Sequence, residues 1–239
     1  MAQTSPAPLL GVVTVGQSPR PDLVAAFSAH APGARVEVRG ALDGLSAHDV
    51  DTLAAVPTDY PLLVRLADGT TRQVGRDVLH PLVVQQARAF AADGATAVAI
   101  ACAGDFPHVP CDVPVVLPGR VVPAVTRALG GAGRIGVVTP VAGQVAAATA
   151  KWRADGFDPL TVAAPPDDEG ALDHAADALR AAGITLVVLD CMGHADDAAR
   201  RLEARSGARV LLAQSLAARV AGELVRPPAP DAIFHSHAP

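Results

Sequence analysis

The segment LLGVVTVGQ at residues 9–17 returns as RIGVVTPVAGQ at 134–144, with Gly-Val-Val-Thr identical in both. Two further matches follow in the same order. VAIACAGDF (98–106) pairs with VVLDCMGH (187–194), each an apolar run ending in a cysteine with a glycine two residues later, and VVLPGRVVPAVTRAL (115–129) pairs with VLLAQSLAARVAGEL (210–224). A chain written twice in this way folds as two similar halves, because each half must satisfy the same hydrophobic pattern.

What those halves are follows from the short apolar runs LLGVVTV, RVEVRG, TAVAIAC, VPVVL, RIGVVTP, LTVAA, TLVVLDC and ARVLLA, which alternate with alanine-rich helical stretches. Such alternation predicts βαβ units with parallel strands. Near-continuous apolar strands predict sheets covered by helices on both faces. The expected fold is therefore α/β with two pseudo-symmetric lobes, each a parallel sheet flanked by helices. The first lobe spans 7–118 and is completed by a C-terminal helix at 214–226, the second spans 119–213, and 227–239 reads as a tail. One stretch departs from the alternation: in residues 60–77, Asp68-Gly69 between two alternating runs predicts a β-hairpin inserted in the first lobe and able to lean over a site.

In open parallel sheets ligands bind outside the carboxyl ends of the strands, so Cys102 and Cys191 are expected on opposite walls of one cleft between the lobes. Three cysteines in 239 residues do not make a disulfide framework, which leaves burial, metal binding or catalysis. Two thiols across a cleft can invert a carbon acid, one taking the proton from one face while the other delivers a proton to the opposite face. A single thiolate can instead add to an activated double bond, allow rotation and leave.

The loop GQSPRPD after the first strand supplies the candidate binding groups. Gly16 permits an unusual backbone angle, Gln17 and Ser18 offer donors, Arg20 can grip an oxyanion bidentately, and Pro21 suits a first helical turn. Asp22 either holds Arg20 or meets the ligand. Thr139 ends the second Gly-Val-Val-Thr strand as Thr14 ends the first, and Gly104 and Gly193 complete the candidate binding set. Asp105 and His194, each three residues past a cysteine, are candidates to tune it.

These features resemble the Asp/Glu racemase superfamily, and within it the AroM family. The resemblance rests on the paired cysteine strands, TVGQSPRPD, the YPLLVRLADG hairpin, CAGDF, LDCMG, GVVTP and ARVLLAQSLAARV, and covers almost the whole chain. It implies an Asp/Glu racemase-like fold and a cofactor-independent racemase or isomerase of a small carboxylate or related carbon acid, with Cys102 and Cys191 catalytic. The chain departs from the amino-acid racemases after each cysteine, where Ala103-Gly104 and Met192-Gly193 replace the polar residues that hold the substrate carboxylate there. The resemblance therefore points to a substrate held from elsewhere, foremost the GQSPRPD loop.

Other readings compete. Buried cysteine is common packing, and Cys111, which lacks a repeat partner, reads as structural. Ser18 can be a helix cap, Arg20 a solvated arginine, and the strand-end threonines can bond backbone groups. His108-x-x-Cys111 and Cys191-x-x-His194 together with Cys102 offer soft ligands for zinc, although no paired Cys-x-x-Cys knuckle accompanies them. A ligand-binding protein that keeps the cleft without turnover is the third class.

Composition narrows the partners. A net charge of −5 without a dense Lys/Arg run argues against nucleic acid and against an anionic membrane, leaving a small anionic or carboxylate-like ligand; a homodimer is compatible with the sequence. No basic-then-apolar leader and no long apolar span occur, so a cytoplasmic protein is expected. No dinucleotide or P-loop glycine motif is present. The single lysine, Lys151 in ATAKWRADG, reads as lying on an exposed turn of amphipathic helix, which argues against a pyridoxal phosphate Schiff base; no cofactor is expected.

Overall fold

The structure, a computed structural model, describes residues 6–129 and 133–226. The chain runs β1 (Leu9–Thr14), α1 (Pro21–Ser28), β2 (Arg35–Gly40), α2 (Ala47–Ala54), β3 (Pro61–Arg65), β4 (Thr71–Gly75), α3 (Arg76–Ala92), β5 (Ala97–Ala101), β6 (Val115–Val116) and α4 (Pro118–Ala128). It continues with β7 (Arg134–Thr139), α5 (Val145–Ala154), β8 (Asp158–Ala163), α6 (Glu169–Ala181), β9 (Leu186–Leu189), α7 (Asp196–Ser206), β10 (Arg209–Leu212) and α8 (Ala213–Leu224). The expected tail at 227–239 lies outside the described residues. No described helix is long and apolar enough to cross a membrane.

Two four-stranded parallel sheets form, ordered β2-β1-β5-β6 and β8-β7-β9-β10. The orders match strand for strand, so the sequence repeat is a repeat of topology. β1 and β7 occupy equivalent central places, as do β5 and β9, the strands that lead into the two cysteines. Every residue of β1 and β5 is buried, as continuous apolar composition requires of a strand covered on both faces. The predicted α/β architecture of two pseudo-symmetric lobes is the architecture observed.

Local sequence sets the helix ends. Ser46 and Asp49 form a reciprocal capping box on α2, Asp168 caps α6 by accepting from Ala171 N–H at 2.8 Å, and prolines open α1 and α4. The outer face of the first sheet buries Phe90, Leu79 and Val83 of α3, and that of the second buries Leu179 of α6 and Leu202 of α7. Between the sheets lies a core shared by both, including Phe27, Val122, Trp152 and Ala217. α8, which follows the last strand of the second sheet, packs on α1 and β5 of the first. α4, which follows the last strand of the first sheet, reaches the second: Arg127 donates to Asp155 O at 2.6 Å and lies over the Phe157 ring. The halves are thus tied by their own final helices.

The hairpin forms as β3 and β4, antiparallel, with Asp68-Gly69 in its turn. It does not stand free. Gln144, in the short 3₁₀ turn after β7, donates through Nε2 to Pro61 O at 2.6 Å, so the insertion of the first lobe is anchored on the second.

The α1–α8 contact depends on Gly222, whose missing side chain admits the His30 carbonyl: a Cβ there would lie 1.9 Å from that oxygen. Gly222→Ala adds about 1 kcal/mol of helix propensity on its own. Overpacking against backbone that cannot swing aside costs about 1–3 kcal/mol and outweighs it. The substitution is expected to lower the midpoint of urea denaturation; an unchanged or raised midpoint would show that the two helices do not meet as described.

Candidate active site

The carboxyl ends of β1, β5, β7 and β9 and the inner side of the hairpin enclose a cavity of about 260 Å³. Its wall includes Cys102, Gly104, Cys191 and Gly193, together with Thr14, Arg20, Asp22 and Thr139. Both repeat cysteines therefore face one enclosed space. The hairpin contributes Tyr60, Leu62, Leu63, Arg65, Gly69 and Thr71.

Each thiol sits on the backbone turn that follows its strand. Gly193 N–H donates to Cys191 Sγ at 3.3 Å, and the Gly104 N–H plays the same part toward Cys102. Burial dominates these donors. It pushes the Cys102 thiol up to about 12, against the opposing effects of Gly104 N–H and the Lys151 ammonium. It pushes Cys191 up to about 11, against Gly193 N–H and Arg20, with the Asp190 carboxylate adding to the rise. Both are thiols at neutral pH. Tyr60, whose hydroxyl accepts from Asp105 N–H at 3.1 Å, is likewise held as the neutral phenol by burial, at about 12.

Arg20 is the cation that reaches the cavity from the GQSPRPD loop. Asp22 grips its Nε and Nη2 at 2.8 and 2.6 Å, which leaves Nη1 toward Thr14 Oγ1 at 3.4 Å. Burial raises the Asp22 carboxyl, and the Arg20 contacts more than offset it, so the net shift is downward. Asp22 thus holds Arg20.

Gly16, Gln17 and Ser18 of that loop do not line the cavity. Ser18 donates its backbone N–H and its hydroxyl to the two Asp43 carboxylate oxygens at 2.7 and 2.8 Å. Gln17 donates to Leu42 O and Leu45 O and accepts from Ala67 N–H, and its own N–H donates to Arg65 O at 2.9 Å. Gly16 lies against the hairpin so closely that a Cβ would fall 2.2 Å from Arg65 O. These three residues build the wall that carries Arg20 and Arg65. Ser18 is not the helix cap either, since Arg20 occupies that position.

Thr139 donates to Gln144 Oε1 at 2.8 Å, which orients the amide that binds Pro61 O. Asp105 is exposed and faces Arg76. His194 is buried with neither ring nitrogen hydrogen-bonded, and burial drives it down to about 4, so it is a neutral imidazole. Cys111 donates to Ala87 O at 3.4 Å on the outer side of the first lobe. Among the described residues no three His, Cys, Asp or Glu side chains are grouped to hold a metal ion, so the five zinc candidates are not assembled into one site.

One expectation is overturned. Lys151 is not on an exposed turn: its side chain is 6% exposed, and its ammonium donates to Ala103 O at 2.8 Å and faces Asp190 at 3.2 Å. The reason is tertiary: Ala103 O of the first lobe and the Asp190 carboxylate close over this side of α5, while Ala146, Ala150 and Arg153 keep its solvated face. Asp190, a cavity residue 5% exposed on its side chain, accepts from Trp152 Nε1 at 2.8 Å and was not singled out by sequence reasoning. A signal existed: Asp190 stands where the first half has Ala101, an acid ending an otherwise apolar strand.

Comparison with known proteins agrees with this fold. No curated protein matches the chain. Among solved structures, arylmalonate decarboxylase superposes with a TM-score of 0.62 at 18% identity, over 93% of this chain and 94% of that one. Allantoin racemase from Klebsiella pneumoniae gives 0.59 at 17% identity, over 94% and 95%. The maleate isomerase Iso from Pseudomonas putida S16 gives 0.55 at 12% identity, over 89% and 90%. At these identities the likeness is one of fold. The family model described as AroM protein matches residues 10–225, nearly the whole chain. The chain belongs to the AroM family.

Proposed function

We propose that the protein is a cofactor-independent racemase or isomerase of a small carboxylate or related carbon acid, and that Cys102 and Cys191 do its chemistry. The observation that carries this reading is the placement of two thiols on one cavity of about 260 Å³, delivered by equivalent strands of two repeated sheets. The proteins that share the fold are named for decarboxylation of arylmalonates, racemisation of allantoin and isomerisation of maleate. In the racemase form, one cysteine as thiolate takes the proton from carbon and the other as thiol returns a proton on the opposite face. In the isomerase form, one thiolate adds to the double bond, the new single bond rotates, and the sulfur leaves with its electron pair. Arg20 Nη1, beside Thr14, is the group placed to meet the carboxylate.

A second reading, a binding protein that keeps the cavity without turnover, is favoured by one observation: burial holds both thiols far above neutral. A screen of small carboxylates, imides and unsaturated acids in deuterated water, followed by NMR, separates the two. Exchange, inversion or isomerisation supports the enzyme. Saturable binding with no exchange on any compound supports the binding protein.

Once a substrate is found, Cys102→Ser and Cys191→Ser should each lower kcat by a factor of about 10² or more, because serine is nearly isosteric but far less acidic. Cys111→Ser should leave turnover unchanged, and full activity in both cavity mutants would refute the thiol mechanism. The raised thiols also fix the pH profile. With Cys191 near 11, the thiolate population grows about tenfold per pH unit below that value, so kcat/KM should climb from pH 7 to about 10 with a slope near one. A flat profile over pH 7–9 would mean that neither thiol ionises in the rate-limiting process.

A further inference from the structure

Lys151 and Asp190 are buried and oppositely charged, Asp190 faces both thiols and Lys151 faces Cys102, and the chemistry above uses neither. Lys151 Nζ donates to Ala103 O at 2.8 Å and lies 3.2 and 3.5 Å from the Asp190 oxygens. Ala103 is the residue after Cys102, and Asp190 is the residue before Cys191. One ammonium on α5 therefore clamps the two cysteine loops from behind the cavity wall. Trp152, one residue on, completes the clamp by donating to Asp190 Oδ2, and the Lys151 ammonium lies 5.2 Å from its ring centroid.

We propose that Lys151 and Asp190 act as a positioning pair that holds the two cysteine loops at a fixed spacing and sets the ionisation of both cavity thiols through the balance of its two charges. This deepens the reading of Cys102 and Cys191 as the reacting groups and rests on it. The field at the thiols is small only because the pair is matched. In a desolvated site, removing one partner leaves the other charge uncompensated and weakly screened. A bare Asp190 carboxylate opposes thiolate at either cysteine. A bare Lys151 ammonium favours it. The other groups facing Cys102 are Gly104 N–H and the neutral phenol of Tyr60; those facing Cys191 are the Gly193 and His194 N–H groups and Arg20, whose charge Asp22 offsets. Cys191 itself also faces Cys102, and its thiolate opposes a second one there; apart from that coupling between the thiols, none of these groups changes when the pair is altered.

The test measures alkylation of each cysteine by iodoacetamide across pH 6–11, resolved by peptide mass spectrometry, with Cys111 outside the cavity as the internal reference. Asp190→Asn keeps the shape and the acceptor for Trp152, and should speed alkylation of Cys102 and Cys191 about tenfold at pH 8, the equivalent of about one pKa unit downward. Lys151→Met should slow both about tenfold by the same relation. Lys151→Arg should restore the wild-type rates in part, and the double substitution should return close to them, because both charges are gone. A purely structural clamp predicts something else: both single variants loosen the wall and shift the rates the same way, and that outcome would overturn the proposal. If Lys151→Met does not fold, the Cys191 alkylation profile of Asp190→Asn must still move to lower pH, and a profile that stays in place would overturn it equally. No substrate is needed. Opposite shifts in a protein with no turnover would leave this pair's role standing and remove the enzymatic reading, whereas parallel shifts in an active enzyme would do the reverse.

Discussion

Lys151 is the one lysine in the chain, and its ammonium lies between the lobes where a desolvated charge is expensive unless it is matched. The match comes from Asp190 on one side and Ala103 O on the other, so the contact joins α5 to the exit of β9 and to the exit of β5 at once. A buried ion pair of this kind contributes little net stability compared with apolar residues of the same volume, but losing one partner costs about 3–5 kcal/mol. Its value is geometric. The two strands that end in cysteine belong to separate sheets with no hydrogen bond between them, and only side chains can set the distance across the gap. Trp152, fully buried and bonded to the same carboxylate, fixes the orientation of Asp190 within the shared core.

The opposite end of the cavity is held by different means. The hairpin is an insertion with no counterpart in the second half, yet it is bonded to both lobes: through Gln17 N–H to Arg65 O, against which Gly16 packs closely, and through Gln144 to Pro61 O. These are backbone attachments, so the hairpin's side chains are left to face the cavity while its position is fixed. That explains why the GQSPRPD loop, read from the sequence as a set of ligand donors, divides in the folded chain. Gly16, Gln17 and Ser18 are structural, and Arg20 reaches the cavity together with Asp22, which steadies it.

Much of this was legible in the sequence, and the reason is the repeat. Matching apolar strands at β1 and β7, and at β5 and β9, carry the period of a buried parallel sheet in short, unambiguous runs, so the fold and the placement of the cysteines followed from pattern alone. Asp68-Gly69 marked the hairpin for an equally local reason. What escaped was whatever depended on contact between distant segments. Ser18 found Asp43, 25 residues away, instead of a ligand. Lys151 was read from its own helix, where the neighbours on either side suggest solvent, but the burial of α5 is decided by the second sheet and by residues near 103 and 190. Local periodicity cannot see which position on a helix a distant carbonyl and carboxylate will cover.

The repeat also shows where symmetry ends, and with it the equivalence of the two thiols. In the first half the residue before the cysteine is Ala101, and in the second it is Asp190; the arginine of the first β1–α1 loop has no counterpart after β7, where Gln144 binds the hairpin instead. The cavity is therefore symmetric in backbone and asymmetric in charge. Cys102 is the more deeply buried of the two and is held near 12; Cys191 lies within the field of Arg20 and is held near 11. The fields at the two thiols therefore differ in origin: the Arg20 guanidinium favours the thiolate of Cys191, and the Lys151 ammonium that of Cys102. A pair of identical side chains thus stands in two different surroundings, set by the residues that break the repeat around them.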